Sequence, residues 1–104
     1  MKYKKYNLQD VHDASAQNKF NVISTFAGGG GSSTGYRLAG GKILCINEFV
    51  QEARNTYAEN YPDTPILPDD IKELTGQDLL DAAGMKVGEV DILDGSPPCS
   101  AFSM

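Results

Sequence analysis

Four places in this 104-residue chain gather residue types that do chemistry. Gly28, Gly29, Gly30 and Gly31 follow an apolar, β-branched run and precede a helix-like one. Glycines there let the backbone approach a ligand closely, and the helix N-terminus beyond them favours a negative group. Glu48 follows a second apolar run, where a carboxylate accepts hydrogen bonds from both hydroxyls of a ribose. Asp69-Asp70-Ile71 adds carboxylates after a third, shorter run. Cys99 stands directly after Pro97 and Pro98 and before Ser100. Rigid prolines present one side chain at the mouth of a sheet, and a thiol there becomes a nucleophile when nearby charge or dipoles lower its pKa. Cys45, inside an apolar run, reads instead as an inert core thiol.

The familiar phosphate motifs do not account for the glycines. A dinucleotide fingerprint needs G-x-G-x-x-G, and the two possible frames fail at Ser33 and Thr34. A P-loop needs Lys followed by Ser or Thr, but Gly41-Lys42 is followed by Ile43. A flexible linker is disfavoured, since the glycines sit between an apolar strand and a helix whose face carries Tyr36 and Leu38.

These loops need elements to hold them. Residues 1–19 are mostly polar, without sustained period, and read as an appendage or a short leading helix. Residues 20–26 form the first strand, 32–39 a short helix closed by Gly40-Gly41, and 43–46 the second strand. Val50, Ala53, Tyr57 and Tyr61 mark a helix over 49–61, stopped by Pro62. Ile66-Leu67 is a third strand; Thr75, with Asp78 three residues on, caps a helix running to Gly84; residues 90–93 form the last strand. The alternation predicts an α/β domain with parallel strands and right-handed crossovers, with the chemical loops at the carboxyl ends of the strands.

Composition bounds the rest. The length suits one domain, and roughly 65% of the unfolded chain's surface is buried on folding at this size. Nine basic against fourteen acidic residues give a net charge of -5, which excludes docking on a phosphate backbone by charge alone. The short cluster Lys2, Lys4 and Lys5 reads as a solvated start. No membrane span and no secretory leader is apparent, which predicts a cytoplasmic protein without structural disulfides.

Taken together, the pieces resemble the DNA cytosine-5 methyltransferases. The resemblance rests on Phe26-Ala27-Gly28-Gly29-Gly30-Gly31 with Gly35 and Ala39-Gly40, on Asn47-Glu48, on Asp70-Ile71, and on Pro98-Cys99-Ser100-Ala101-Phe102-Ser103, in the family's order and spacing. It implies a partial Rossmann-like, S-adenosylmethionine-dependent methyltransferase fold. The mostly parallel sheet is truncated after the fourth strand, with residues 20–104 as the N-terminal part of the catalytic domain. S-adenosylmethionine is the implied cofactor and double-stranded DNA the substrate, with no metal, in a bacterial or phage-infected cell and with restriction-modification as an associated role.

By position in the family pattern, Phe26 packs on the adenine and Gly28 and Gly30 border the methionine part, with Ala27 and Gly31 in the same loop. Glu48 holds the ribose, Phe49 lies against the adenine, and Asp70 and Ile71 face its edge and ring. Cys99 attacks C6 of the cytosine, and Pro98 and Ser100 stand on the side of the flipped-out base.

Ser24-Thr25 departs from the family's usual acidic residue and Leu, and Asp69 from a common glycine. The later family motifs do not occur in these 104 residues, so the resemblance implies a chain inactive alone, with an open sheet edge suited to self-association or a complementing chain. A non-catalytic or split-enzyme cofactor-binding module is the alternative. An amino methyltransferase is a further one, though that group normally has an aromatic residue at the place of Cys99.

Overall fold

The computed structural model describes residues 5–28 and 30–95. Helix α1 (Leu8–Ser15) lies in the polar leading stretch and is closed by a reciprocal capping box. Asn7 Oδ1 accepts from Asp10 N at 2.9 Å and Asp10 Oδ2 accepts from Asn7 N at 3.0 Å, satisfying two amides that have no partner in the helix itself. Its one buried residue, Val11, joins the core, and Ser15 Oγ donates to the Gly41 carbonyl at 2.8 Å.

The remaining elements alternate: β1 (Phe20–Thr25), α2 (Gly31–Leu38), β2 (Gly41–Asn47), α3 (Gln51–Asn60), β3 (Ile66–Leu67), a 3-10 turn (Ile71–Glu73), α4 (Gly76–Ala83) and β4 (Ile92–Gly95). The strands form one all-parallel sheet in the order β3-β2-β1-β4. After β3 the chain crosses to the far side of β1, so the strand order reverses between β1 and β4. In such sheets that reversal opens a crevice at the carboxyl ends of the strands.

Both faces of the sheet are covered, as a parallel sheet requires. Val11, Val22, Ile43, Ile46, Tyr57 and Tyr61 pack on one face; Ile23, Leu44, Cys45 and Leu79 pack on the other. Leu44 and Cys45 are neighbours yet share a face, because the register with β1 shifts between Val22 and Ile23 and breaks the alternation there. The ring of Tyr57 is wholly buried, a burial worth about 1.5–3 kcal/mol for a large apolar side chain.

Several boundaries and faces differ from the sequence reading. The last strand spans Ile92–Gly95 instead of 90–93, because a side-chain clamp occupies the residues before it. Asn21 N donates to Asp91 Oδ2 at 2.9 Å, Asp91 N to Asn21 Oδ1 at 2.6 Å, and Asn21 Nδ2 to the Glu89 carbonyl at 3.0 Å. Helix α2 buries Ser33 and Arg37, four residues apart, while Tyr36 packs at the margin of the core and Leu38 is exposed. Val50 is half exposed at the start of α3 and stands outside that helix's core face. β1 ends at Thr25, with Phe26 turning out of it.

Candidate functional site

The rim begins at Phe26, whose φ of 53° is left-handed and uncommon for an aromatic residue. This turn carries the chain abruptly off β1. Ala27 N donates to the Asn47 carbonyl at 3.1 Å, tying the loop after β1 to the end of β2. Gly28 and Gly30 then take φ of 60° and 105°, values that glycine adopts without strain. A Cβ on Gly30 would lie 3.2 Å from the rings of both Tyr57 and Tyr61, so this glycine is a packing requirement against α3.

Glu48, only 8% exposed, is the link between loops. Its Oε1 accepts from Gly28 N at 2.7 Å and its Oε2 from Val50 N at 2.9 Å. A carboxylate offers about four lone-pair positions, so each oxygen keeps one for a further donor. Arg54, one turn into α3, donates from Nη1 to the carbonyls of Phe49 at 2.6 Å and Glu48 at 3.2 Å, fixing the turn from the other side. Asn47 Nδ2 donates to the carbonyls of Leu67 at 3.1 Å and Asp69 at 2.8 Å, which carries the tie on to β3. Asp70 Oδ1 accepts from Lys72 N at 3.0 Å and caps the 3-10 turn.

These loops enclose a cavity of about 260 Å³ at the carboxyl ends of β1, β2 and β3. Phe26, Phe49, Val50 and Ile71 supply apolar walls; Glu48 and Asp70 supply carboxylates, with Asn47 and Lys72 completing the lining. Five residues singled out from the sequence, Phe26, Glu48, Phe49, Asp70 and Ile71, thus meet in one place. Ala27, Gly28, Gly30 and Gly31 do not line it; Gly28 reaches it through Glu48, and Gly30 faces the two tyrosines. Pro98, Cys99 and Ser100 lie outside the described residues. Gly95 pairs with Thr25 on this same rim.

Next to the glycine loop, Thr25 Oγ1 donates to the Asp94 carbonyl at 3.1 Å and joins the ends of β1 and β4. Burial, and then the charge of Asp94 and a hydrogen bond to it, push the Tyr36 phenol above its ordinary pKa. Cys45 is fully buried in β2, its thiol directed at the Leu79 carbonyl at 3.7 Å, and burial raises its pKa to about 11. It is a core residue, as its apolar neighbours indicate. Arg54 is a positioning residue that the sequence did not single out, and Asn47, noted there only beside Glu48, is a second. For Asn47 a signal existed: a carboxamide closing an apolar strand needs partners once it is buried.

An all-parallel sheet with this strand order, and with an apolar slot and two carboxylates at its carboxyl rim, defines a Rossmann-like α/β domain. Comparison with known proteins narrows the class. Residues 20–104 match the family model described as C-5 cytosine-specific DNA methylase, and the chain belongs to that family. It is 39% identical over 83 residues to the Type II methyltransferase M.AquIA of Picosynechococcus sp., covering 80% of this chain and 34% of that protein. It is 37% identical to the Type II methyltransferase M.AgeI of Thalassovita gelatinovora, over 79% of this chain and 19% of that protein. It is also 37% identical to the Type II methyltransferase M.DdeI of Desulfomicrobium norvegicum, over 81% of this chain and 19% of that protein. The matched stretch thus spans between about a fifth and a third of these relatives. Methyltransferases of this family use S-adenosylmethionine in general. Among the described residues no helix is long and apolar enough to cross a membrane.

Proposed function

We propose that this chain forms the cofactor-binding and nucleophile-bearing part of a DNA cytosine-5 methyltransferase. The observation that carries the reading is the cavity itself, which combines apolar walls with two carboxylates. Those features fit the adenosine half of S-adenosylmethionine: the rings of Phe26 and Phe49 with Ile71 suit the adenine, and the spare lone pairs of Glu48 suit the ribose hydroxyls. Asp70 faces the exocyclic edge of the base. When bound, the cofactor supplies the methyl group. The glycine loop borders its methionine part, and Gly28 holds Glu48 ready for the sugar.

The Cys99 thiolate would add to C6 of the target cytosine and place electron density on C5; C5 would then take the methyl group, with S-adenosylhomocysteine left behind, and loss of the C5 proton to a base would expel the thiolate and restore the ring. Pro98 and Ser100 belong to the loop that meets the base, and a stacked base must leave the duplex to reach it. The expected substrate is double-stranded DNA. The test replaces Cys99 by Ala in a protein that carries these 104 residues together with the family's remaining motifs. Covalent trapping on DNA containing 5-fluorocytosine should vanish while S-adenosylhomocysteine still binds; trapping that persists refutes the assigned nucleophile.

The free side of β4 belongs to the same reading. Among the described residues β4 pairs only with β1, and Leu93 on it is 66% exposed. Such an edge takes a further strand, from a second copy or a complementing chain.

A further inference from the structure

A second cavity lies at the other end of the strands. Lys42 and Ile43 stand near the start of β2, whereas Asn47 ends it and Glu48 follows, so the two linings lie four to six residues apart along the chain, roughly 13–20 Å. This cavity, of about 170 Å³, sits between α1, α2 and the segment that leads from α3 to β3. We propose that it is a binding site for a phosphate group, with the Arg37 guanidinium as its anchor.

Arg37 is 4% exposed, yet both of its hydrogen-bond partners are neutral hydroxyls. Nη1 donates to Tyr57 Oη at 2.9 Å and Nη2 to Thr64 Oγ1 at 2.8 Å. The guanidinium carbon lies 3.6 Å from the centre of the Tyr61 ring, a cation–π contact that leaves the charge unneutralised. A guanidinium carries five N–H donors, and among the described residues Arg37 uses two of them. A buried charge whose hydrogen-bond partners among the described residues are all neutral is costly to hold; Asp63 lines the same cavity without bonding to Arg37, and an anion bound at the open face supplies a direct countercharge.

The lining continues the same chemistry. Lys42 and His12 add basic groups, Ser15 and Thr64 add hydroxyls, and Asp63 adds a carboxylate. This concentration of basic groups occurs in a chain of net charge -5, so it is no reflection of overall composition. The planar fork of an arginine matches the oxygens of a phosphate, and hydroxyls complete such cradles. A cavity of about 170 Å³ has room for a phosphate group. The site takes inorganic phosphate or the end of a small phosphomonoester, and its lining shares no residue with that of the cofactor cleft.

The test is a titration of the ¹⁵N-labelled full chain, followed by NMR, with inorganic phosphate and separately with glycerol 1-phosphate, at ionic strength held constant with chloride. Saturable shifts are expected at Ser15, Arg37, Lys42 and Thr64, including the Arg37 side-chain N–H. Shifts with both probes assign a phosphomonoester site, and shifts with inorganic phosphate alone assign a free-ion site. Arg37→Met risks unfolding the protein, so the deciding variant is Lys42→Gln at an exposed position. It should leave the remaining spectrum unchanged and weaken phosphate binding roughly three- to fivefold. Shifts that do not saturate, that are unaltered in Lys42→Gln, or that fall on Gly28 and Glu48 overturn the proposal. Because the two cavities report through different residues, failure here leaves the reading of the cofactor cleft untouched.

Discussion

Replacing Glu48 by Gln removes one charge and exchanges one acceptor oxygen for an NH₂ group. In the parent the two oxygens receive Gly28 N–H at 2.7 Å and Val50 N–H at 2.9 Å, in a position only 8% exposed. Glutamine keeps a single carbonyl oxygen, so one of these backbone amides must face a donor. A hydrogen bond to a charged group is worth about 1.5–3 kcal/mol, and burial keeps water from replacing it. The expected loss is of that size. For a domain of this length each kcal/mol shifts the melting temperature by roughly 4–8 °C, so the drop should fall between roughly 6 and 24 °C. Asp70→Asn is the control: its residue is half exposed and caps a single turn, and Asn is itself a good cap, so the loss should stay below about 1 kcal/mol. Thermal and urea unfolding followed by circular dichroism measure both. Calorimetric titration with S-adenosylhomocysteine then separates support from recognition, since both variants should lose affinity while only Glu48→Gln loses much stability. A Glu48→Gln protein that melts within about 2 °C of the parent would refute the cross-linking role.

Gly30→Ala should destabilise by about 1–3 kcal/mol from its left-handed backbone alone, with crowding by Tyr57 and Tyr61 adding to it. Gly31→Ala, where a Cβ meets nothing within 4 Å and the residue is helical, should be neutral or stabilising by up to about 1 kcal/mol; equal losses at both positions would contradict this assignment. The Cys45 thiol stays protonated in the fold to about pH 11, against an ordinary value of 9.0. Its raised folded-state pKa means that its contribution is complete below pH 9 and is lost as pH rises toward 11, by about 1.4 kcal/mol per pH unit. Urea unfolding under reducing conditions should therefore show the stability gap between parent and Cys45→Ala shrinking by about 1.5 kcal/mol between pH 9 and pH 10.5; a constant gap would count against it. Leu93→Lys should abolish any self-association through β4 without affecting cooperativity, as read by sedimentation velocity.

The strands were legible because their cores are runs of β-branched and apolar residues: Val22-Ile23, Ile43-Leu44 and Ile66-Leu67 all lie in strands. Helix α4 announced itself through Thr75 and Asp78, which form the capping box expected of them. The leading helix was less plain, since Val11 is its only buried residue and its cap begins with Asn7 in a polar stretch. On α2, hydropathy pointed to Tyr36 and Leu38, whereas an arginine held by two hydroxyls and an aromatic face takes the buried place. Periodicity cannot register such a residue, because its burial depends on partners from α3 and the loop beyond it. Similarly, Glu48 and Asp70 could be picked out by position after their strands, but that Glu48 also binds Gly28 follows only from parallel pairing of β1 with β2.

Asn47 has a consequence for how a ligand meets this protein. Its main-chain oxygen holds Ala27 and its side chain holds Leu67 and Asp69, so the exits of three strands are joined through one buried residue. The loops around the cleft therefore become ordered when the sheet forms, and the conformational entropy of fixing them is lost during folding, before any ligand arrives. Affinity at such a rim reflects contacts made, with little deducted for ordering. The same coupling makes the rim open as a unit: the amides of Ala27 and Glu48, which reach across to neighbouring strands, should exchange with solvent at one common rate, set by a single cooperative opening.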